Sequence, residues 1–239
     1  MPVLISILTH NNLSLTKAAI QSALAQTYSS NSSLLVIDNA SIDATPQWLA
    51  SQRGFSTIML AERTSVAACW NTVLDWAFNP LNPNRYEGVL VLNNDVEIRP
   101  DTVKWLMEDP APFVTAVSVR SESELGYPDP PTAGQRRPHP DFSCFMIKPL
   151  CWKKVGRFDE CFEGAYGEDC SYHIRMHFAK IEAVCLDLPF LHHASGTIKS
   201  ATPAEKRQIE RYAHKNRQLF VEMYGCLPGS DAYNEIFTT

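Results

Sequence analysis

Short apolar runs alternate with amphipathic stretches through the first half of the chain. Runs rich in β-branched and aliphatic residues predict strands at Val3–Leu8, Leu34–Ile37, Thr57–Ala61, Gly88–Leu92 and Val114–Val119. Apolar residues at helical spacing predict helices at Leu13–Ala25 and Val66–Phe78, and prolines mark the first turns of two more, at Pro46 and Pro100. Strands alternating with helices predict an α/β fold with a mostly parallel central sheet flanked by helices.

Residues 121–141 interrupt this pattern with five prolines and two glycines. We expect residues 120–141 to form a mobile loop that closes over bound ligand. Beyond the loop, the pattern predicts strands at Phe142–Lys148 and Glu182–Asp187 and a helix at Glu168–Ala179. Thr202 and Glu205 form a capping box that opens a helix ending near Tyr224. The whole chain, 1–239, is predicted to be one domain with a smaller β/α half at 142–239.

Polar side chains follow the predicted strands at the points where these strands end. Thr9, His10 and Asn11 follow the first strand, Asp38 ends the second, and residues 93–95 follow the fourth. The carboxyl ends of parallel strands meet at one edge of a sheet, where α/β proteins bind their ligands. The sequence therefore predicts a binding site at this edge.

Composition narrows the possible functions. The chain has 239 residues, 45% of them apolar, and a net charge of −5, which excludes a disordered chain and disfavours nucleic acid as a partner. No apolar run approaches the roughly 18 residues of a membrane span, and the first residues predict a strand rather than a signal peptide. The seven cysteines include no C-x-x-C pair, so we expect reduced thiols and a cytoplasmic protein.

Five segments contain most of the candidate functional residues. They are SILTHNN at 6–12, VIDNASIDAT at 36–45, VLNNDVEI at 91–98, GRFDECFEGAYGEDCSYHIRM at 156–176 and LHHASGT at 191–197. In order and spacing they resemble the family 2 glycosyltransferases of the GT-A fold. The resemblance implies inverting transfer of a sugar from a UDP-, dTDP- or GDP-sugar to an acceptor hydroxyl on a glycan, a lipid-linked compound or another molecule. Residues 1–119 would bind the nucleotide-sugar, and 142–239 would hold the acceptor and the catalytic groups.

The family's D-x-D motif corresponds to Asn93, Asn94 and Asp95, a variant that resembles rhamnosyltransferase-like members. The resemblance implies that Asp95 binds Mn²⁺ or Mg²⁺, and that His192 and His193 supply a further contact to the metal or the diphosphate. A divalent cation offsets the charge that develops on a diphosphate leaving group. Glu97, two residues after Asp95, is placed to assist.

Further positions match contacts to the donor. The resemblance assigns Asp38 to the base or ribose, and it assigns Thr9, Asn11, Asn71, Asn93, Asn94 and Arg175 to other parts of the donor. Two alternatives stay open: Asp38 closes an Asx turn after its strand, and Arg175 forms an internal ion pair. Asp43 or Thr45 is predicted to cap the helix that begins at Pro46.

The adjacent carboxylates Glu168 and Asp169 match the family's E-D motif, which implies that Asp169 is the general base and that Glu168 orients the site. The chemistry requires an ionised carboxylate within about 3 Å of the acceptor hydroxyl. Asp169 falls at the predicted N-terminus of a helix, where the helix dipole favours the ionised form.

Two other functions remain open from the sequence. Asp169, His173 and His177 recur every four residues, and with His192 they suggest a zinc hydrolase. The departures at Asn93 and Ser65, where the family has Asp and Gly, suggest a GT-A module that binds a nucleotide or glycan without turnover. The last long helix carries cations that fit either a solvated face or a phosphate-bearing acceptor: Lys206, Arg207, Arg211, Lys215 and Arg217.

Overall fold

The computed structural model describes residues 2–28, 32–126, 129–132, 139–193 and 201–238. Its core is a single eight-stranded sheet. The strands are β1 (Val3–Thr9), β2 (Ser32–Asp38), β3 (Ser56–Met59), β4 (Gly88–Asn93), β5 (Val96–Glu97), β6 (Phe113–Val119), β7 (Cys144–Ile147) and β8 (Ala183–His192).

Eight helices surround the sheet in the described part of the chain. They are α1 (Leu13–Leu24), α2 (Thr45–Ser51), α3 (Val66–Ala77), α4 (Thr102–Glu108), α5 (Pro149–Val155), α6 (Glu168–Phe178), α7 (Pro203–Tyr224) and α8 (Asp231–Glu235). Two short 3₁₀ turns lie at Glu122–Glu124 and Ile236–Thr238.

The strands lie in the order β3-β2-β1-β4-β7-β6-β8-β5. The first four are parallel, which confirms the predicted α/β half. The second half is mixed, because β7 runs antiparallel to both β4 and β6, and β5 runs antiparallel to β8. The sheet is thus less parallel than the alternation of strands and helices suggested.

Buried side chains cover both faces of the sheet, because successive residues of each strand point to opposite sides. On one face, Val3, Ile5 and Ile7 pack with α1 and α4 residues; on the other, Leu4 and Val89 pack with α3. A third cluster joins α6 to the last helices and contains Phe162, Ile174, Phe220, Cys226 and Tyr233.

Most predicted elements are confirmed to within a few residues, including the capping box, in which Thr202 and Glu205 bond reciprocally. The pattern missed β5, α5 and α8, which are short. It was also wrong about the cap of α2: the N-cap is Ala44, without a side-chain bond. The Asp43 carboxylate instead accepts hydrogen bonds from the amides of Thr45 and Leu13, and so joins two helix starts.

All seven cysteines are free thiols, in line with the expected absence of disulfides. The helices that the structure describes include none that is long and apolar enough to cross a membrane. Part of the Pro-rich loop, residues 127–128 and 133–138, and part of the LHHASGT segment, residues 194–197, lie outside the described residues.

Candidate active site

A cavity of about 490 Å³ opens where β1 and β4 end and where α6 begins. Seven of the predicted site residues line it: Thr9, Asn93, Asn94, Asp95, Glu168, Asp169 and His192. These residues come from both halves of the chain, so the fold brings together motifs that are up to 183 positions apart. A cavity therefore lies at the carboxyl edge of the sheet, where the sequence predicts the site.

Asp95 and His192 face each other at one wall of the cavity. The antiparallel pairing of β5 with β8 places Val96 opposite His192, and the Asp95 Oδ1 lies 3.4 Å from the His192 Nε2. The amide of His193 donates to the Asp95 carbonyl at 2.9 Å. The His193 side chain pairs instead with Glu97, with 2.5 Å between Nε2 and Oε1. The two adjacent histidines thus pair with different carboxylates, and of the two only His192 lines the cavity.

The Asn94 side chain, which lines the cavity, contacts both the end of β1 and α1. Its amide nitrogen lies within hydrogen-bond distance of the Thr9 and Thr16 hydroxyls, at 3.1 and 3.2 Å, and of the Asn11 carbonyl, at 3.2 Å. Asn94 is buried, so these bonds are made out of contact with bulk water. The middle residue of the motif therefore fixes the end of β1 against α1.

Asp38 and Asn11 are built into a turn beside the cavity. The Asp38 Oδ1 accepts from the amide of Ser41 at 3.2 Å and from the Ser41 hydroxyl, which is the geometry of an Asx turn. The backbone N–H of Asn11 donates to the same hydroxyl at 2.7 Å. Neither Asp38 nor Asn11 is among the described residues that line the cavity, whereas Asn39 is.

Asn71 and Arg175 lie away from the cavity. The Asn71 amide bonds to Phe158 through both backbone groups and to the Glu160 carboxylate, so it anchors the segment before α6. The Arg175 guanidinium pairs with Asp159, with 3.2 Å between Nε and Oδ2. The structure thus places Arg175 in the internal ion pair that the sequence left open.

Glu168 and Asp169 begin α6, and both line the cavity. Gly167 precedes them with φ of 105°, and a Cβ there would lie 2.8 Å from the Phe162 ring, so only glycine fits this entry to the helix. Burial, together with the charge of Asp169, raises the pKa of Glu168 well above its usual range. Among the described residues its Oε2 has no hydrogen-bond partner. Asp169 is half-buried and accepts from the Cys170 amide at 2.7 Å.

Comparison with known proteins identifies the family. The sequence profile of "Glycosyl transferase family 2" matches residues 5–138, more than half of the chain. The chain belongs to glycosyltransferase family 2. No match was found among curated protein sequences.

Solved glycosyltransferase structures share the fold of this chain. S. aureus TarS 1-349 in complex with UDP-GlcNAc aligns with a TM-score of 0.63 and 15% identity, over 99% of this chain and 70% of that one. The mannosyltransferase PcManGT from Pyrobaculum calidifontis in complex with GDP-Man and Mn2+ aligns with a TM-score of 0.56 and 18% identity, over 99% of this chain and 83% of that one. At these identities the likeness establishes the fold.

The side chains at the cavity wall limit which kind of metal ion can bind there. The described residues contain no group of three or more His, Cys, Asp and Glu side chains placed to hold an ion. Asp95 and His192 offer two ligands. Mg²⁺ sites that act on phosphates commonly use one or two carboxylates together with substrate phosphates. The pair therefore fits a cation that binds with a phosphate ligand, and it does not fit a structural zinc site.

The helix that suggested a zinc hydrolase holds its histidines differently. The His173 ring stacks on Phe237 at 4.0 Å and its Nδ1 lies 2.9 Å from the Tyr233 hydroxyl. Burial, with His139 and His177 nearby, lowers the pKa of His173 to about 3. This aromatic setting gives the zinc alternative no support.

Sequence reasoning missed several lining residues of the glycosyltransferase cavity. Two are cations, Arg63 and Arg120, and Arg120 also donates to the His192 carbonyl at 3.2 Å. Arg120 directly follows β6, so the rule used for the other strand ends would have found it. Tyr166 also lines the cavity, and for it the sequence offers no comparable signal, whereas His10 was among the polar residues predicted at the end of the first strand.

Proposed function

We propose that this chain is an inverting nucleotide-sugar glycosyltransferase with Asp169 as its general base. The supporting observation is the convergence of Asp169 with Asp95 and His192 on one cavity at the carboxyl edge of the sheet. The reaction requires a carboxylate base and a site for a diphosphate, and the residues proposed for these two roles line one cavity. The solved neighbours in complex with UDP-GlcNAc and GDP-Man support a nucleotide-sugar as the donor.

The donor diphosphate would lie between the Asp95–His192 pair and the cations at the cavity rim, Arg63 and Arg120. Asp95 and His192 would hold Mn²⁺ or Mg²⁺, which when bound offsets negative charge on the diphosphate. Guanidinium groups bind phosphate through charge-assisted hydrogen bonds. The site thus stabilises the charge that grows on the leaving group.

In the chemical step the acceptor hydroxyl oxygen attacks the anomeric carbon from the face opposite the diphosphate. The new C–O bond forms as the bond from the anomeric carbon to the diphosphate oxygen breaks, and the electron pair of that bond leaves with the nucleoside diphosphate. Asp169 takes the hydroxyl proton. Attack from the opposite face inverts the anomeric configuration.

Glu168 has a different task from Asp169, although the two are neighbours. Burial and the neighbouring Asp169 charge raise the pKa of its carboxyl, which favours the protonated form. A neutral carboxyl offers a hydrogen-bond donor to a ligand in the cavity and adds no negative charge beside Asp95. We propose that it orients the ligand while Asp169 keeps the basic role.

The proposal is tested by a thermal-shift screen followed by a transfer assay. The purified chain is melted with UDP-, GDP- and dTDP-sugars, with and without Mn²⁺, because a ligand at 100 times its Kd stabilises by about 2.7 kcal/mol. The stabilising donor is then followed by NMR for release of the nucleoside diphosphate and for the anomeric configuration of the product. Stabilisation without any turnover would favour the binding module instead, and absence of stabilisation by every donor would contradict both.

A further inference from the structure

A second cavity, of about 440 Å³, lies on the other side of Asp169. It shares Tyr166 and Asp169 with the first cavity. Its remaining lining comes from Gly167, Cys170, Ala213, Asn216, Arg217, Leu227 and Pro228. The carboxylate assigned as the base therefore stands at the boundary of two cavities.

Tyr166 is held at that boundary in an unfavourable backbone conformation. Its φ is 81°, in the left-handed region that residues with a Cβ rarely adopt. The buried Asn216 amide maintains the loop, donating to the carbonyls of Glu163, Ala165 and Tyr166 at 2.9 to 3.0 Å. Strain of this kind persists only where the surroundings enforce it, and it concentrates at functional sites. The half-exposed ring lies between the cavities, where an aromatic face can stack on a sugar.

Arg217 gives the second cavity its positive charge, opposite the carboxylate of Asp169 in the same lining. It is exposed on α7, and it makes no ion pair with any residue that the structure describes. Among the residues that the structure describes, the other ionisable groups of the lining are Tyr166, Asp169 and Cys170, and burial is the main cause of the raised pKa values of Tyr166 and Cys170. A guanidinium that opens onto a cavity without a carboxylate partner is suited to a phosphate or carboxylate ligand.

We propose that the second cavity is the acceptor site and that the acceptor carries a phosphate or carboxylate group, with Arg217 contacting this anion and Tyr166 stacking on the acceptor sugar. The proposal rests on the proposed transferase function. A molecule held in this cavity presents a hydroxyl to Asp169 from one side while the donor occupies the other. Inversion further requires this hydroxyl to reach the anomeric carbon from the face opposite the diphosphate, so the acceptor must extend past Asp169 into the first cavity.

The experiment compares three acceptor probes with the donor identified by melting: methyl glucoside, glucose 6-phosphate and glucuronic acid. We expect the wild type to use at least one anionic probe about tenfold better than the neutral one. Arg217→Gln should raise the KM for that probe about tenfold. Arg207→Gln is the matched control, because it removes the same charge from an exposed position of α7 that does not line this cavity. The phosphate and carboxylate probes distinguish the two anions.

A second variant separates recognition from stability. Tyr166→Gly relieves the strained φ, so it should melt no lower than the wild type, while the KM for the acceptor probe rises. Equal KM changes in Arg217→Gln and Arg207→Gln, a neutral probe used best, or donor hydrolysis with no probe used would overturn the proposal. Failure of the wild type to bind or cleave any donor would instead contradict the transferase function itself.

Discussion

The Asp95 Oδ1 and the His192 Nε2 lie 3.4 Å apart at the wall of the first cavity, joined by the pairing of β5 with β8. If this pair holds the cation, Asp95→Asn should abolish the Mn²⁺-dependent part of donor binding while the fold survives. The amide keeps the size of the side chain and removes the charge that attracts the ion. Calorimetric titration of donor with and without Mn²⁺ measures the effect.

Glu97→Gln is the control for that experiment, because it changes a nearby carboxylate that contacts His193 instead of His192. We expect its Mn²⁺ dependence to stay close to that of the wild type. Donor affinity that is unchanged in Asp95→Asn would disprove the metal assignment.

Asp169→Asn should lower turnover by about 10²- to 10⁴-fold and leave donor affinity nearly intact. The amide cannot take a proton, and the loss of a base removes stabilisation that exists only in the transition state. Asp231→Asn makes the same change in the first turn of α8, so it controls for loss of a carboxylate at a helix start. Steady-state kinetics and donor titration together decide: near-normal turnover in Asp169→Asn would exclude it as the base.

Glu168 should make the free energy of unfolding depend on pH. The folded-state pKa is raised, so the folded chain holds a proton that the unfolded chain releases above about pH 4.3. Its contribution to stability is complete below that pH and declines as pH rises, by up to about 1.4 kcal/mol per pH unit. Glu168→Gln removes the titration, so the variant should gain stability relative to the wild type between pH 5 and 8, as measured by urea melts. A constant difference across that range would contradict the buried, protonated carboxyl.

The contribution of His173 to the free energy of unfolding should depend on pH with the opposite sign. Its folded pKa of about 3 lies below the ordinary value of about 6.5, so the stability it contributes is present above pH 6.5 and is lost as pH falls towards 3. Relative to the wild type, His173→Gln should therefore be least stable at pH 7 and should recover as pH falls to 4. Chemical denaturation at several pH values tests this, and a parallel pH profile in both proteins would show that the ring titrates normally.

The sequence predicted some of the residues that line the first cavity, but few of the contacts between them. Asp95 and the Glu168-Asp169 pair were predicted because their local sequences resemble motifs of the family, and a strand end and a helix start place them on the cavity wall. Which histidine faces Asp95 depends on the register between β5 and β8, and β5 was too short to detect. Asn71 resembled a donor contact, yet its position depends on the segment at Phe158, 87 residues later. Local patterns carry no information about such long-range partners, and the second cavity was missed for the same reason.

The strand order has a consequence for how this chain is made. Both neighbours of β6, which are β7 and β8, come later in the sequence, and β4 obtains its second neighbour only when β7 arrives. During synthesis on a ribosome, β1 to β4 would assemble first. The apolar strand β6 would keep both edges unpaired, and so remain prone to aggregation, until residue 192 has emerged. A fragment cut at residue 138, where the family profile ends, would remain at this stage and would lack Asp169 and His192. Expression trials should therefore keep the second half of the sheet attached.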